Sequence, residues 1–141
     1  MGAKTSRTGM ELLLVIDTDI FIDHFRGIKE ATEYLKKINV FERATTDINV
    51  MELFVGANDL RELNNLEQFI YKNQFNVLPV TDTASRLAVE LLKKYRLSNN
   101  LRMPDALIAG IVLEIGASLV TENKKHFQFI PNLRLVTPLY R

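Results

Sequence analysis

The sequence predicts an α/β domain, with a central, mostly parallel sheet of four to five strands and helices on both faces. Three observations predict it. Short runs of branched apolar residues alternate with stretches of helical periodicity, in the order β-α-α-β-α-α-β-α-α-β-β. The 141 residues are one domain's worth of chain, and a 47% hydrophobic content suffices for a proper core. No linker, internal repeat or low-complexity tract divides the chain. Strands joined through helices imply right-handed crossovers, and these make a sheet mostly parallel.

Leu12–Ile16 (LLLVI) is wholly apolar and reads as a buried strand. Asp17-Thr18-Asp19 ends it, and Asp19 can cap the helix that follows, with Ile20, Phe21 and Phe25 on one face and Gly27 as the stop. A second helix runs from about Lys29 to Ile38 through Ala31 and Leu35. Ala44–Ile48 (ATTDI) is β-branched and reads as the second strand. From Asn49 the period turns helical, with Val50, Leu53, Phe54 and Ala57 on one face. Asp59–Lys72 continues as a longer helix through Leu63, Leu66, Phe69 and Ile70. Phe75–Val80 alternates as a strand, with Pro79 at its end. Thr81–Tyr95 is an amphipathic helix lined by Ala84, Leu87, Ala88, Leu91 and Leu92. Leu97–Met103 reads as polar loop, and Pro104 suits the start of the apolar helix Asp105–Ile115, which Gly116 ends. Ser118–Thr121 and Leu133–Val136 are the last strands.

Composition removes several function classes. There are no cysteines, which excludes a disulfide framework, thiolate zinc sites and cysteine nucleophiles, and suits a reducing, cytoplasmic setting. The 18 basic and 17 acidic residues nearly cancel, which argues against a wholesale basic nucleic-acid wrapper and leaves room for a local basic patch. The longest apolar candidate, Ala106–Leu113, is stopped by Glu114, far short of the roughly 18–20 residues of a membrane span. The first nine residues, MGAKTSRTG, lack the apolar core of a secretory signal. They read as a tag remnant or disordered lead-in (1–9), with Met10 as a candidate native start and the domain over 10–141.

Ligands of open α/β sheets bind outside the carboxyl ends of the strands. Asp17, Glu52, Asp105, Thr121 and Asn123 all fall near that edge, with Glu52 expected in the first turn of its helix. Gathered carboxylates repel, so such a cluster calls for a positive partner. With no cysteine and only two histidines, an all-oxygen site for Mg²⁺ or Mn²⁺ fits best. Each residue also has a plainer role. Asp17 or Asp19 serves as a helix cap, Asp105 complements a helix dipole, and Asn123 suits a turn.

Four stretches in order, VIDTDIFIDHFRG (Val15–Gly27), ATTDINVMELFVGA (Ala44–Ala57), MPDALIAG (Met103–Gly110) and LVTENKKHF (Leu119–Phe127), resemble the PIN-domain ribonucleases, specifically the toxins of VapBC-type toxin–antitoxin pairs. The resemblance spans about Met10 to the C-terminus. It implies a single PIN-like domain and a metal-dependent endoribonuclease whose acidic site falls on Asp17, Glu52 and Asp105. The family's fourth acidic position falls on Asn123, whose carbonyl oxygen coordinates without adding charge, so binding of a second metal is expected to weaken. Thr121 matches a hydroxyl position of the same motif, and Asp19 is a supporting candidate. His126 stands where many relatives carry His or Asp; a contact to RNA or metal is weighed against a surface or structural role. Asp23 is expected to face solvent or satisfy a local hydrogen bond, and His24 to lie at the surface.

The resemblance implies hydrolysis of an RNA phosphodiester with Mg²⁺ or Mn²⁺, and phosphates need cations to bind them. Arg96 and Arg102, in the expected loop before Asp105, and Lys124 and Lys125, beside Asn123, are the candidates; the plain reading of all four is solvated surface. It also implies a cognate antitoxin docked near Phe21, Ile22, Phe25 and the Leu53–Phe69 region, and a homodimer. Two alternatives stay open. One is a catalytically impaired PIN-like module that binds RNA or antitoxin. The other is a haloacid-dehalogenase-type phosphatase, since VIDTD matches an apolar strand followed by Asp-x-Asp, with Asp17 as nucleophile.

Overall fold

The protein is described here by a computed structural model that covers residues 12–140, so the expected lead-in and start at Met10 lie outside the described residues. Its elements in order are β1 (Leu14–Ile16), α1 (Thr18–Phe25), α2 (Lys29–Lys37), β2 (Arg43–Thr46), α3 (Asp47–Val55), α4 (Leu60–Lys72), β3 (Asn76–Leu78), α5 (Asp82–Asn99), α6 (Met103–Ile115), β4 (Ser118–Val120) and β5 (Arg134–Val136).

The five strands form one sheet in the order β3-β2-β1-β4-β5, and every neighbouring pair is parallel. The chain steps outward from β1 to β3 and then returns to place β4 on the other side of β1. The order therefore reverses between β1 and β4, and the crevice outside their carboxyl ends is where this topology places a ligand. β4 reaches β5 without a full helix, through a 3₁₀ turn at Lys124–His126 and a left-handed residue, Asn132.

Side-chain alternation along the short strands divides the interior in two. Val15 and Leu119 face a core built with Ile108, Ile111 and Val112 of α6. Ile16 and Val120 face the other, built with Ile20, Phe21, Leu35, Leu66, Ile70 and Phe75. Arg43 fastens the second layer. Its guanidinium donates to the carbonyls of Ile38 at 3.0 Å, Asn73 at 2.9 Å and Lys36 at 3.0 Å, joining the ends of α2 and α4 to β2.

Helix ends follow local chemistry. Thr46, Asp59 and Thr81 accept from the backbone N–H groups of Asn49, Glu62 and Ala84, capping α3, α4 and α5. Gly116, at φ 73°, closes α6 in the left-handed conformation that glycine adopts without a Cβ penalty. Three expectations need correction. Asp17, not Asp19, caps α1, so that helix begins at Thr18. The Thr46 cap starts α3 at Asp47, so Asp47 and Ile48 leave the second strand and Glu52 lies in the second turn. α5 runs on through Leu97–Asn99 to a left-handed Asn100, which places Arg96 in a helix rather than a loop.

The most extensive helix pairing, α5 against α6, depends on small residues. A Cβ at Gly110 would lie 2.5 Å from the Ala84 carbonyl oxygen, which is backbone and cannot swing aside. Gly110→Ala is expected to destabilise by about 1–3 kcal/mol in urea or thermal unfolding. Gly56→Ala, whose Cβ would meet nothing nearer than 3.6 Å, is expected to leave stability close to wild type. An unchanged unfolding midpoint for Gly110→Ala would contradict this packing.

Candidate active site

Asp17 leaves β1 at the switch point, and its backbone N–H donates to Val120 of β4 at 2.9 Å. Its carboxylate is buried, with 7% of the residue exposed, at the positive end of α1. One oxygen, Oδ1, accepts from the Thr18 N–H at 2.9 Å and the Asn49 Nδ2 at 3.0 Å. The other, Oδ2, accepts from the Thr121 hydroxyl at 2.7 Å. These partners are neutral donors. They orient the carboxylate while leaving its charge in place.

A second tier positions those donors. Thr46, the cap of α3, accepts from the Asn49 N–H at 3.1 Å and donates to Asn49 Oδ1 at 2.7 Å, which turns the amide nitrogen toward Asp17. The same nitrogen donates to Thr18 Oγ1 at 2.9 Å, and that hydroxyl donates to Glu52 Oε1 at 2.6 Å. Glu52 is thereby linked to Asp17 although it stands on another helix. Across β4, the Asn123 N–H donates to Thr121 Oγ1 at 3.0 Å, and the Asn123 side-chain amide donates to Asp19.

Asp105 enters from the first turn of α6, 9% exposed, with Arg102 at the N-cap. His126 Nδ1 stands 3.6 Å from Asp105 Oδ2. Burial pushes the Asp105 carboxyl up to about 6, and the Asp17 charge adds to this, while His126 and Arg102 pull the other way. Burial likewise pushes Asp19 up to about 6, aided by Asp17, Asp23 and Glu52. Asp17 is also raised, by burial, against the hydrogen bonds that favour its charged form.

This donor set is all oxygen apart from one imidazole, and its charges disfavour one another. Both features suit a hard divalent cation. Among the described residues, no three acidic or histidine side chains converge closely enough to hold one ion by themselves.

Asp17, Glu52, Asp105, Thr121, Asp19 and Asn123 are thus brought to one place from β1, α1, α3, α6 and the end of β4. Lys124 and Lys125 are exposed on the turn beside them. Arg96 differs from expectation, because its Nη1 donates to the Leu101 carbonyl at 3.2 Å and braces the turn between α5 and α6. Phe21 is fully buried, so it belongs to the core and offers no docking surface. Phe25 and Ile22 instead line a cleft of about 340 Å³ with Glu52, Leu53 and Leu66. Asp23 is buried and accepts from the Tyr140 hydroxyl at 2.9 Å. His24 is half-buried, 2.6 Å from Thr32 Oγ1, with its ring 4.2 Å from Phe69, and burial lowers its pKa.

Sequence reasoning missed Asn49 and Thr18. The available signal for Asn49 was its spacing: it lies three residues before Glu52, on the same helix face, in a largely apolar stretch.

Comparison with known proteins identifies the family and the fold. The family model described as PIN domain matches residues 14–130. Ribonuclease VapC19 of Mycobacterium tuberculosis is 32% identical over 123 residues, covering 85% of this chain and 96% of that protein. Ribonuclease VapC10 of the same organism is 26% identical over 123 residues, covering 86% and 91%. Among solved structures, a toxin–antitoxin complex from Klebsiella pneumoniae superposes with a TM-score of 0.72 at 30% identity, covering 89% of this chain and 97% of that one. DNA-bound VapBC from Salmonella typhimurium shares the fold, with a TM-score of 0.76 at 24% identity and the same coverage.

A carboxyl whose folded pKa lies above its unfolded value costs stability when ionised. For Asp105 that stability is present below the ordinary aspartate value of 3.8 and is lost as pH rises through about 6. The difference corresponds to at most about 3 kcal/mol. Asp105→Asn in EDTA is therefore expected to raise Tm by several degrees at pH 7.5, with the gain shrinking toward pH 4. A Tm that falls at pH 7.5, or a gain independent of pH, would contradict the electrostatic account.

Proposed function

The chain belongs to the PIN-domain family, and from that premise we propose that it is a divalent-metal-dependent endoribonuclease, the toxin of a toxin–antitoxin pair. The observation that carries the reading is the carboxylate cluster at the switch point. Asp17 is held there by neutral donors, and its charge together with that of Glu52 raises the Asp105 carboxyl. The relatives' own names and the toxin–antitoxin complex of similar structure support the substrate class and the partner. Membership of this family removes the phosphatase alternative.

Asp17 and Asp105 would hold Mg²⁺ or Mn²⁺ directly, Glu52 through water, and Asn123 weakly through its carbonyl oxygen. Bound there, the cation supplies charge for the scissile phosphate and lowers the pKa of a water. The remaining work falls to the chain itself. Thr121, Thr18 and Asn49 keep the Asp17 oxygens aimed into the crevice. Thr18 ties Glu52 to the same frame. Asp19, braced by Asn123, adds negative charge at the rim. Arg102, Lys124 and Lys125 bind the phosphates on either side, with Arg96 contributing less because it braces a turn.

The antitoxin occupies the cleft between α1 and α3–α4, where Ile22, Phe25 and Leu66 offer apolar surface beside Glu52. The working form is a homodimer in the cytoplasm, where the RNA substrate resides. Among the described residues, no helix is long and apolar enough to cross a membrane.

One specific observation favours a second reading, a PIN module that binds without cutting. Asn123 stands at the fourth acidic position, and its amide is engaged with Asp19. A single assay separates the two. Partner-free protein incubated with total RNA is expected to cleave at discrete sites in Mg²⁺ or Mn²⁺. EDTA, Asp17→Ala and Asp105→Asn should each reduce cleavage by more than the roughly 10–100-fold typical of second-layer changes at metal sites. Asn123→Asp is expected to lower the metal concentration required. A folded, partner-free protein that stays inert, as wild type and as Asn123→Asp, would establish the binding reading instead.

A further inference from the structure

A groove of about 620 Å³ lies between the C-terminal half of α5 and the turn at Pro131–Asn132. Leu91, Tyr95 and Pro131 supply its apolar lining, Lys93 and Lys94 its charge, and Glu90 a single acid among the lining residues. Both walls lead back to the acidic centre. On one side, the Leu101 N–H donates to the Tyr95 carbonyl at 3.5 Å, and Arg102 follows at the N-cap of the helix carrying Asp105. On the other, Phe129 packs on Tyr95 with ring centroids 5.2 Å apart, and His126 stands beside Asp105. From His126 to Pro131 the chain reaches at most about 18 Å.

Apart from Glu90, the charge of these walls is one-sided. Residues 91–104 hold Lys93, Lys94, Arg96 and Arg102 and no carboxylate. Residues 123–134 hold Lys124, Lys125 and Arg134 and no carboxylate. In a chain whose total charge nearly cancels, a basic strip next to an acidic centre is a local feature that suits a polyanion. Tyr95 adds the second requirement. It is half-buried, one ring contact is with Phe129, and the Lys94 ammonium lies 5.5 Å from its centroid. A surface lysine over a ring marks a face that other planar or cationic groups can reach.

We propose that this groove takes a single-stranded RNA segment flanking the scissile bond. Its phosphates run along Lys124, Lys125, Lys93 and Lys94, and an unpaired base stacks on Tyr95 where Lys94 now sits. The proposal rests on the nuclease reading above and extends it to a substrate unpaired beyond the cut. Stacking requires a base free of its partner strand, so a duplex gains only the electrostatic part.

The test is fluorescence anisotropy of a 5′-labelled U12 RNA and of a 12-base-pair RNA duplex, with the full chain in EDTA, so that cleavage plays no part. Lys93→Ala/Lys94→Ala is expected to weaken U12 binding about tenfold and to flatten its dependence on log salt by about 1.4, two lost contacts on a single strand. Tyr95→Ala should weaken U12 several-fold and leave the duplex unchanged, while Tyr95→Phe binds like wild type and controls for folding. Lys36→Ala/Lys72→Ala, on other elements, should change nothing. Unaltered U12 affinity in the lysine double variant would overturn the proposal, as would equal losses for duplex and U12 in Tyr95→Ala. Lost antitoxin binding with unaltered RNA affinity would overturn it too and make this a protein-docking face. Groove-dependent binding by a folded, partner-free protein that cleaves nothing in Mn²⁺, as wild type and as Asn123→Asp, would refute the nuclease reading and leave the groove standing.

Discussion

The structure turns on one buried charge. Asp17 sits at the junction of β1 and α1, beside the end of β4, and its carboxylate accepts from an N–H, an amide and a hydroxyl. A carboxylate taken out of water without a cation is costly. Hydrogen bonds from neutral groups reduce that cost without removing the charge. That charge in turn adds to burial in pushing the Asp105 and Asp19 carboxyls up to about 6. A positive ion bound in the crevice would relieve that cost.

The rest of the architecture holds this point in place. The reversal of strand order brings the ends of β1 and β4 together, so Asp17 and Thr121 meet although 104 residues separate them. Two cores, one on each face, leave the three-residue strands β1 and β4 little freedom to slip. The close approach of α5 to α6 at Gly110 carries the first turn of α6, with Asp105, to the same end of the sheet. Arg43, far from the crevice, braces the opposite layer against which α1 and α3 pack.

Much of this was legible in the sequence. The alternation of apolar runs and amphipathic stretches identified every strand and every α-helix, because strand and helix periods differ. The acids at the strand ends pointed to Asp17, Glu52 and Asp105. Errors arose where a few atoms decide. The Thr46 cap started α3 earlier than β-branching suggested, and Asp17 displaced Asp19 as the cap of α1. Leu97, almost fully exposed, carries no burial signal, so the last turn of α5 read as loop. Asn49 escaped notice because its role depends on where Thr46 turns its amide, a three-dimensional relation. His126 likewise meets Asp105 only through the fold.

The central claim is that the crevice holds unbalanced carboxylates awaiting a divalent cation. The most direct measurement is a carbon-detected NMR titration of the aspartate carboxyls, first in EDTA and then in saturating Mg²⁺. Asp19 and Asp105 are expected to titrate near 6 without metal. With Mg²⁺, Asp105 should fall well below that value, because a bound cation favours the charged form. Titration of both groups near the ordinary 3.8 in EDTA, or curves that Mg²⁺ leaves in place, would contradict the account.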